Sequence, residues 1–294
     1  LRALLRAFEN TDPAPQRQKA ITPKFLRCLF DATGAGAPAS PLFDTAPATT
    51  ADLAIGGFFF AARSCEYSKA KQPGKTKIIN LAGVLFRDNA KPLVKHDNPH
   101  LGSLAEYVTI TFVEQKCGEK MDCRTQQRTG DLALCPVLRY VSVVQRIRRL
   151  IPDCTGDTTI NTIKINGKIL QIDNTFTRKL FRDTCSNFGG KATFGFDPHE
   201  IGNKSLRSGA AMSLFLQHVS GDRIMILGRW ASRAFLDYIR PQVLEWTNNM
   251  SRTMIQTDNF LDAPNLPARD EPRPTFTPFN GPSTIKMPRF HLYH

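Results

Sequence analysis

Apolar positions along this chain repeat with two periods, one suited to helices and one to strands. Val137, Val141, Val144 and Ile147 recur at helical spacing behind Pro136, which predicts a helix from Pro136 to about Leu150. Arg139, Arg146 and Arg149 fall largely on its other side, which reads equally as a solvated face or as a stripe meeting a phosphate backbone. Residues 54–66 are apolar almost throughout before ending in charged groups, so they predict a buried helix capped by Thr49 or Thr50. Thr22 followed by Pro23 opens an earlier helix. Asn174 or Thr175 caps a later one, with Phe176, Leu180 and Phe181 inward and Arg178, Lys179 and Arg182 outward. Helices are also predicted over 204–217, 222–228 and 232–240, the last ending where Pro241 removes a bond to the carbonyl of Asp237.

The strand period is clearest at residues 107–114, which are β-branched and aromatic, free of Gly and Pro, and followed by a turn at 115–118. Shorter runs of the same kind occupy 77–81 and 83–86, so a small antiparallel sheet of about three strands is expected. The predicted fold class is therefore mainly α with a small antiparallel β-sheet, an α+β arrangement. Residues 34–50 form a loop rich in Ala, Pro and Gly, and 10–15 read as a break. Beyond Thr247 the chain turns polar and proline-rich, which predicts an extended or disordered tail. The expected partition is a linker region over 1–20, a folded domain over 21–246 and the tail over 247–294. Because it begins at Leu1 rather than Met, the chain is expected to be a fragment or an incomplete gene product.

Charge narrows the partners. A formal net charge of +13 and a pI near 9.6 favour polyanions, namely DNA, RNA or an anionic membrane surface. Membrane insertion is disfavoured, because the longest apolar run, residues 55–62, falls well short of the ~20 residues a spanning helix needs. The seven cysteines are odd in number, irregularly spaced and without a Cys-x-x-Cys pair, which fits reduced thiols in an intracellular protein. The histidines do not cluster with cysteines or carboxylates, so neither a metal nor another cofactor is expected.

Candidate chemistry begins at Arg63. An arginine ending an apolar helix is costly unless an anion meets it, and Glu66, three residues on, is one such anion. A bound phosphate is another, and the two are compatible. Downstream come Lys204-Ser-Leu-Arg207, Leu227-Gly-Arg-Trp230 and Phe235-Leu-Asp-Tyr238-Ile-Arg240, and between the two arginines lies a hairpin turn carrying Lys116, with Lys120 as its nearest competitor. In order and approximate spacing these residues resemble the active site of tyrosine recombinases and phage-type integrases. The step from Trp230 to Tyr238 is one residue shorter than in phage-type members and is similar to that of eukaryotic mobile-element recombinases. The resemblance covers roughly residues 15 to 246.

That resemblance implies the family's catalytic-domain fold and a metal-independent phosphoryl transfer on double-stranded DNA. Arg63 and Arg207 would clamp the scissile phosphate with planar forks that never lose charge. Trp230 would add an indole N–H donor, Tyr238 would attack phosphorus and hold the 3′ end, and Lys116 would protonate the departing 5′ oxygen. It also implies a DNA-binding domain ahead of a basic linker, for which Arg17-Gln-Lys19 is the candidate, and a synaptic complex of further copies, a tetramer on DNA, in the nucleus if the source is eukaryotic. One departure matters: the family's His-x-x-Arg is here Lys204-Ser-Leu-Arg207. Lys204 either takes over base work with a pKa lowered by neighbouring cations or merely binds phosphate. An active recombinase, a decayed or domesticated DNA-binding relic, a 3′-linking topoisomerase and a generic helical nucleic-acid binder all remain open at this point.

Overall fold

Thr22, in extended conformation, accepts a hydrogen bond from the Phe25 N–H at 3.2 Å, and with Pro23 behind it starts helix α1 (Pro23–Thr33) as its sequence predicts. A computed structural model of the protein describes residues 18–36, 41–72, 74–89, 92–114, 120–230 and 235–236. The expectations for 1–17, for the turn bearing Lys116, for most of 232–240 including Tyr238, for Pro241 and for the proline-rich tail lie outside the described residues.

Helix α2 (Ala46–Phe59) is the central element, and every residue from Ala48 to Phe58 is buried, as befits a helix apolar on all sides. It starts earlier and stops earlier than its sequence suggests. Thr45 is the cap, accepting from the Ala48 N–H at 3.3 Å, while Thr49 and Thr50 lie inside the helix and return their hydroxyls to the carbonyls of Thr45 and Ala46. Pro47 fits in the first turn, where its missing N–H costs nothing, and this lets the helix begin at Ala46. At the other end Ala61 adopts φ 44, and the N–H groups of Ala61 and Ala62 turn back to the carbonyls of Phe58 and Gly57 at 3.0 and 2.9 Å. This is a Schellman ending with alanine where glycine is usual. Arg63 therefore lies beyond the helix, extended at φ −75, ψ 145, as the N-terminal cap of the short α3 (Ser64–Tyr67).

The sheet has four strands where about three were expected, in the order β2-β1-β3-β4 and antiparallel throughout: β1 is Val84–Arg87, β2 Leu93–Val94, β3 Tyr107–Glu114 and β4 Lys120–Gln127. The short α4 (Leu101–Leu104) precedes β3. Val108, Ile110 and Phe112 are buried, giving β3 its core face. Residues 77–81 form no strand; Asn80 instead caps a 3-10 turn over Leu81–Gly83 and makes one isolated bridge to Thr159. β2 was not expected at all, and β4, the strand that returns from the hairpin turn expected at 115–118, is mostly polar and lacks a clear apolar alternation. It is anchored by side chains: the Gln126 amide donates to the Phe59 carbonyl at 2.7 Å, and Arg124 Nε donates to the Ile226 carbonyl at 3.0 Å.

Helix α5 (Pro136–Leu150) has the expected bounds and the expected buried stripe, and it packs along α2, where Gly56 lets the backbone approach the Tyr140 ring. The arginine side of α5 corrects the sequence reading, because Arg139 and Arg146 are neither solvated nor available to a phosphate backbone. Both are buried and both donate to Asp52 of α2, at 2.8 and 2.6 Å, with their guanidinium groups over the rings of Phe30 and Phe43. Of the three, Arg149 alone stays exposed, paired with Asp44, next to the equally exposed Arg148.

A two-stranded ribbon follows, β5 (Thr162–Ile165) and β6 (Lys168–Gln171), turned by Asn166 and Gly167 at φ 50 and 77. Helix α6 (Asn174–Asn187) is capped by Asp173, not by Asn174 or Thr175; the Asp173 carboxylate accepts from the N–H groups of Thr175 and Phe176 at 2.8 and 2.7 Å. Phe181 is buried and Phe176 and Leu180 pack on the core, as expected. After α7 (Gly190–Phe194), helix α8 (Ser205–Leu216) crosses the chain that leads into α1 so closely that a Cβ on Gly209 would overlap the Ile21 carbonyl. Helix α9 (Gly221–Gly228) completes the described elements. The molecule is thus a mixed α/β protein with a small antiparallel sheet. Among the described residues no helix is long and apolar enough to cross a membrane.

Candidate functional site

The end of α2, the short α3, the start of α8 and the turn after α9 converge on one buried carboxylate, Glu66. The Schellman ending of α2 reverses the chain so that Arg63 can fold back on Glu66. The Arg63 N–H donates to Glu66 Oε2 at 2.8 Å and its Nη1 to Oε1 at 3.1 Å. Arg229 reaches the same carboxylate from α9, with Nη2 2.6 Å from Glu66 Oε2 and Nη1 3.2 Å from the Phe60 carbonyl. Its guanidinium lies 3.5 Å from the centre of the Phe112 ring on β3. Arg229 caps α9 in the left-handed region at φ 57, ψ 46, and that backbone turn aims its side chain inward. Burial pushes its pKa down, and the nearby Glu66 charge opposes the shift.

Arg207 enters from α8. Its two Nη atoms donate to the carbonyls of Ala61 and Gly228, and its guanidinium sits 4.0 Å from the centre of the Trp230 ring. Arg63 Nη2 makes a long contact, 3.5 Å, to the carbonyl of Arg229. Two arginines far apart in sequence thus meet consecutive carbonyls of one turn, and Trp230 follows directly. Gly228 is required there, since a Cβ would overlap the Trp230 ring. The Trp230 ring in turn packs against Phe235, with centroids 5.9 Å apart. Arg207 and Arg229 are buried, whereas the Arg63 side chain keeps 22% of its surface open. Beside them lies a cavity of about 300 Å³ lined by Arg124, Asp222, Met225, Ile226, Arg229 and Trp230.

The structure therefore brings Arg63, Arg207 and Trp230 together. Lys204 stands one helical turn before Arg207 as the cap of α8; it is exposed, and its backbone N–H donates to Gln18 Oε1 at 2.9 Å. The described part of the expected linker is tied down here as well, with the Lys19 N–H donating to the Glu200 carbonyl at 2.8 Å. Lys116 and Tyr238 lie outside the described residues. Lys120, the alternative to Lys116, is exposed on β4 opposite Glu114. Sequence reasoning missed Arg229, for which its place between Gly228 and Trp230 is the sole signal. Among the described residues no group of His, Cys, Asp and Glu side chains is arranged to hold a metal ion.

A protein-family comparison finds no model that matches this chain, and no curated protein matches it in sequence.

Proposed function

We propose that this chain is the catalytic region of a tyrosine recombinase or integrase, with that family's fold, which breaks and rejoins double-stranded DNA through a 3′-phosphotyrosine. The observation that carries the reading is the meeting of Arg63, Arg207 and Trp230 around the 228–230 turn. Guanidinium groups gathered in a low-dielectric setting suit a phosphate whose non-bridging oxygens gain charge in the transition state. In this reading Tyr238 forms a bond to phosphorus while the bond to the 5′ oxygen breaks, Lys116 gives that oxygen its proton, and Lys204, acting as a free amine, receives the proton of the tyrosine hydroxyl. Rejoining reverses the steps. The partners are duplex DNA and other copies of the chain in a synaptic tetramer.

Incubation with a pool of random-sequence duplexes, each nicked so that the cleaved fragment diffuses away, tests the reading. A DNA adduct that survives denaturation, and is absent from Tyr238→Phe, is the expected result. A second reading, a decayed or domesticated DNA-binding relic, is favoured by Lys204 in the place of the family histidine. It forecasts DNA binding with no adduct.

A further inference from the structure

The β5–β6 ribbon and the lysine-rich segment before it have no part in the site just described. Register pairs Thr162 with Gln171 and Lys164 with Ile169, so these four residues share one face of the ribbon. Every residue of β6 is exposed, Ile169 to 60%. Lys69, Thr162, Ile169, Leu170 and Gln171 line an open groove of about 590 Å³. Lys69 is locked to the base of the ribbon, its N–H donating to the Ile172 carbonyl and its carbonyl accepting from the Asn174 N–H, both at 2.9 Å. Lys69, Lys71, Lys75, Lys77, Lys164 and Lys168 are all exposed, and among the described residues none of them forms a salt bridge. The nearest carboxylate in sequence to the groove, Asp173, is committed to capping α6.

This basic segment leads from the ribbon to the arginine site. The Ile79 N–H donates to the Glu66 carbonyl at 2.9 Å, which returns the segment to the arginine site. Three residue steps separate Lys69 from Glu66 and each ribbon strand is four residues long, so the base of the ribbon lies within about 11 Å of the arginine site and its tip within about 25 Å. That is the length of about 7 base pairs of duplex at ~3.4 Å each.

We infer that the β5–β6 ribbon and Lys69, Lys71 and Lys75 form a second contact on duplex DNA, gripping the backbone of one arm beside the phosphate held at the arginine site. The inference rests on the recombinase reading for its partner. A two-stranded ribbon fits the major groove, and one face of it offers the exposed Lys164 and Gln171 to a polyanion. Exposed lysines without carboxylate partners suit phosphate contacts, whose binding free energy comes from counterion release.

The test measures affinity of the full chain for nicked duplexes whose arms are shortened stepwise, each across a salt series. Native protein is expected to lose affinity once one arm falls below about 7 base pairs. The Lys164→Gln/Lys168→Gln variant is expected to lower the slope of log affinity against log salt by about 2 on long arms and to be indifferent to shortening. A control variant with the same charge loss beside His96, outside the ribbon and its lysine segment, Lys95→Gln/Arg148→Gln, should retain the native arm dependence. Ribbon variants that match native protein in slope and arm dependence, while native protein still binds duplex, overturn the inference and leave the recombinase reading standing. A ribbon variant changed in self-association without DNA, but not in salt slope, makes the ribbon an interface between copies and overturns it too. Absence of duplex binding by the native chain overturns both.

Discussion

Glu66 holds two cationic side chains in register, and its loss should be felt in both stability and function. Removing its charge in Glu66→Gln leaves Arg229 buried without a carboxylate and releases Arg63 from its bidentate hold. Breaking a buried pair in this way costs about 3–5 kcal/mol, measurable by denaturant unfolding. The comparison with Arg229→Met is informative, because a double variant removes both partners and should cost less than the two single changes added together. Asp131 behaves differently because it is near the surface. The Arg27 guanidinium at 2.6 Å, with the N–H groups of Leu134 and Ala133, holds its carboxyl down at about 2, against an ordinary value of 3.8. A lowered carboxyl adds stability that is present above the ordinary value and lost as pH falls through about 2. The stability gap between native protein and Asp131→Asn should therefore close between about pH 4 and pH 2, and a gap that stays constant over that window would refute the assignment.

At the scale of elements, the helical stripes of α5 and α6 were readable because burial follows a period that the sequence displays. What escaped was decided by partners distant in sequence. Arg139 and Arg146 look like an outer face until Asp52 of α2 is placed beside them, and nothing local to α5 announces that carboxylate. The β4 strand was implied by the hairpin turn before it but not by its own residues, because it is polar and held by Gln126 and Arg124 rather than by apolar alternation. The ribbon was legible and overlooked, since Asn166-Gly167 between β-branched runs is a strong hairpin signal. In the candidate site, Arg63, Arg207 and Trp230 could be picked from motif order, whereas Arg229 could not, because its inward aim depends on a left-handed backbone. Two glycines test how tightly the elements meet. Gly209→Ala forces α8 away from the Ile21 carbonyl and should cost about 1–3 kcal/mol or more. Gly74→Ala, with nothing within 4 Å of the added carbon, should stay within about 0.5 kcal/mol of native. Equal unfolding midpoints for the two variants would contradict the packing described here.

For the whole molecule, an excess of 13 positive charges gives any duplex affinity a steep salt dependence. Affinity alone therefore says little about catalysis, and the informative residue is the one that departs from the family pattern. Lys204 sits at the solvent-exposed start of α8, one turn ahead of the buried Arg207, so its side chain can be exchanged without disturbing the core. Imidazole titrates near 6.5, so most of it is free to accept a proton at neutral pH. If the chain is an active recombinase in which Lys204 shares the proton transfer, Lys204→His should equal or exceed native protein in covalent adduct formed per minute. Its rate should rise with pH through about 6.5. Lys204→Ala should lower adduct formation while leaving most of the duplex affinity in place. A relic predicts no adduct from the native chain and a first appearance of it in Lys204→His. Native-level adduct from Lys204→Ala would remove this lysine from the chemistry altogether and leave Arg63, Arg207 and Trp230 to activate the phosphate without it.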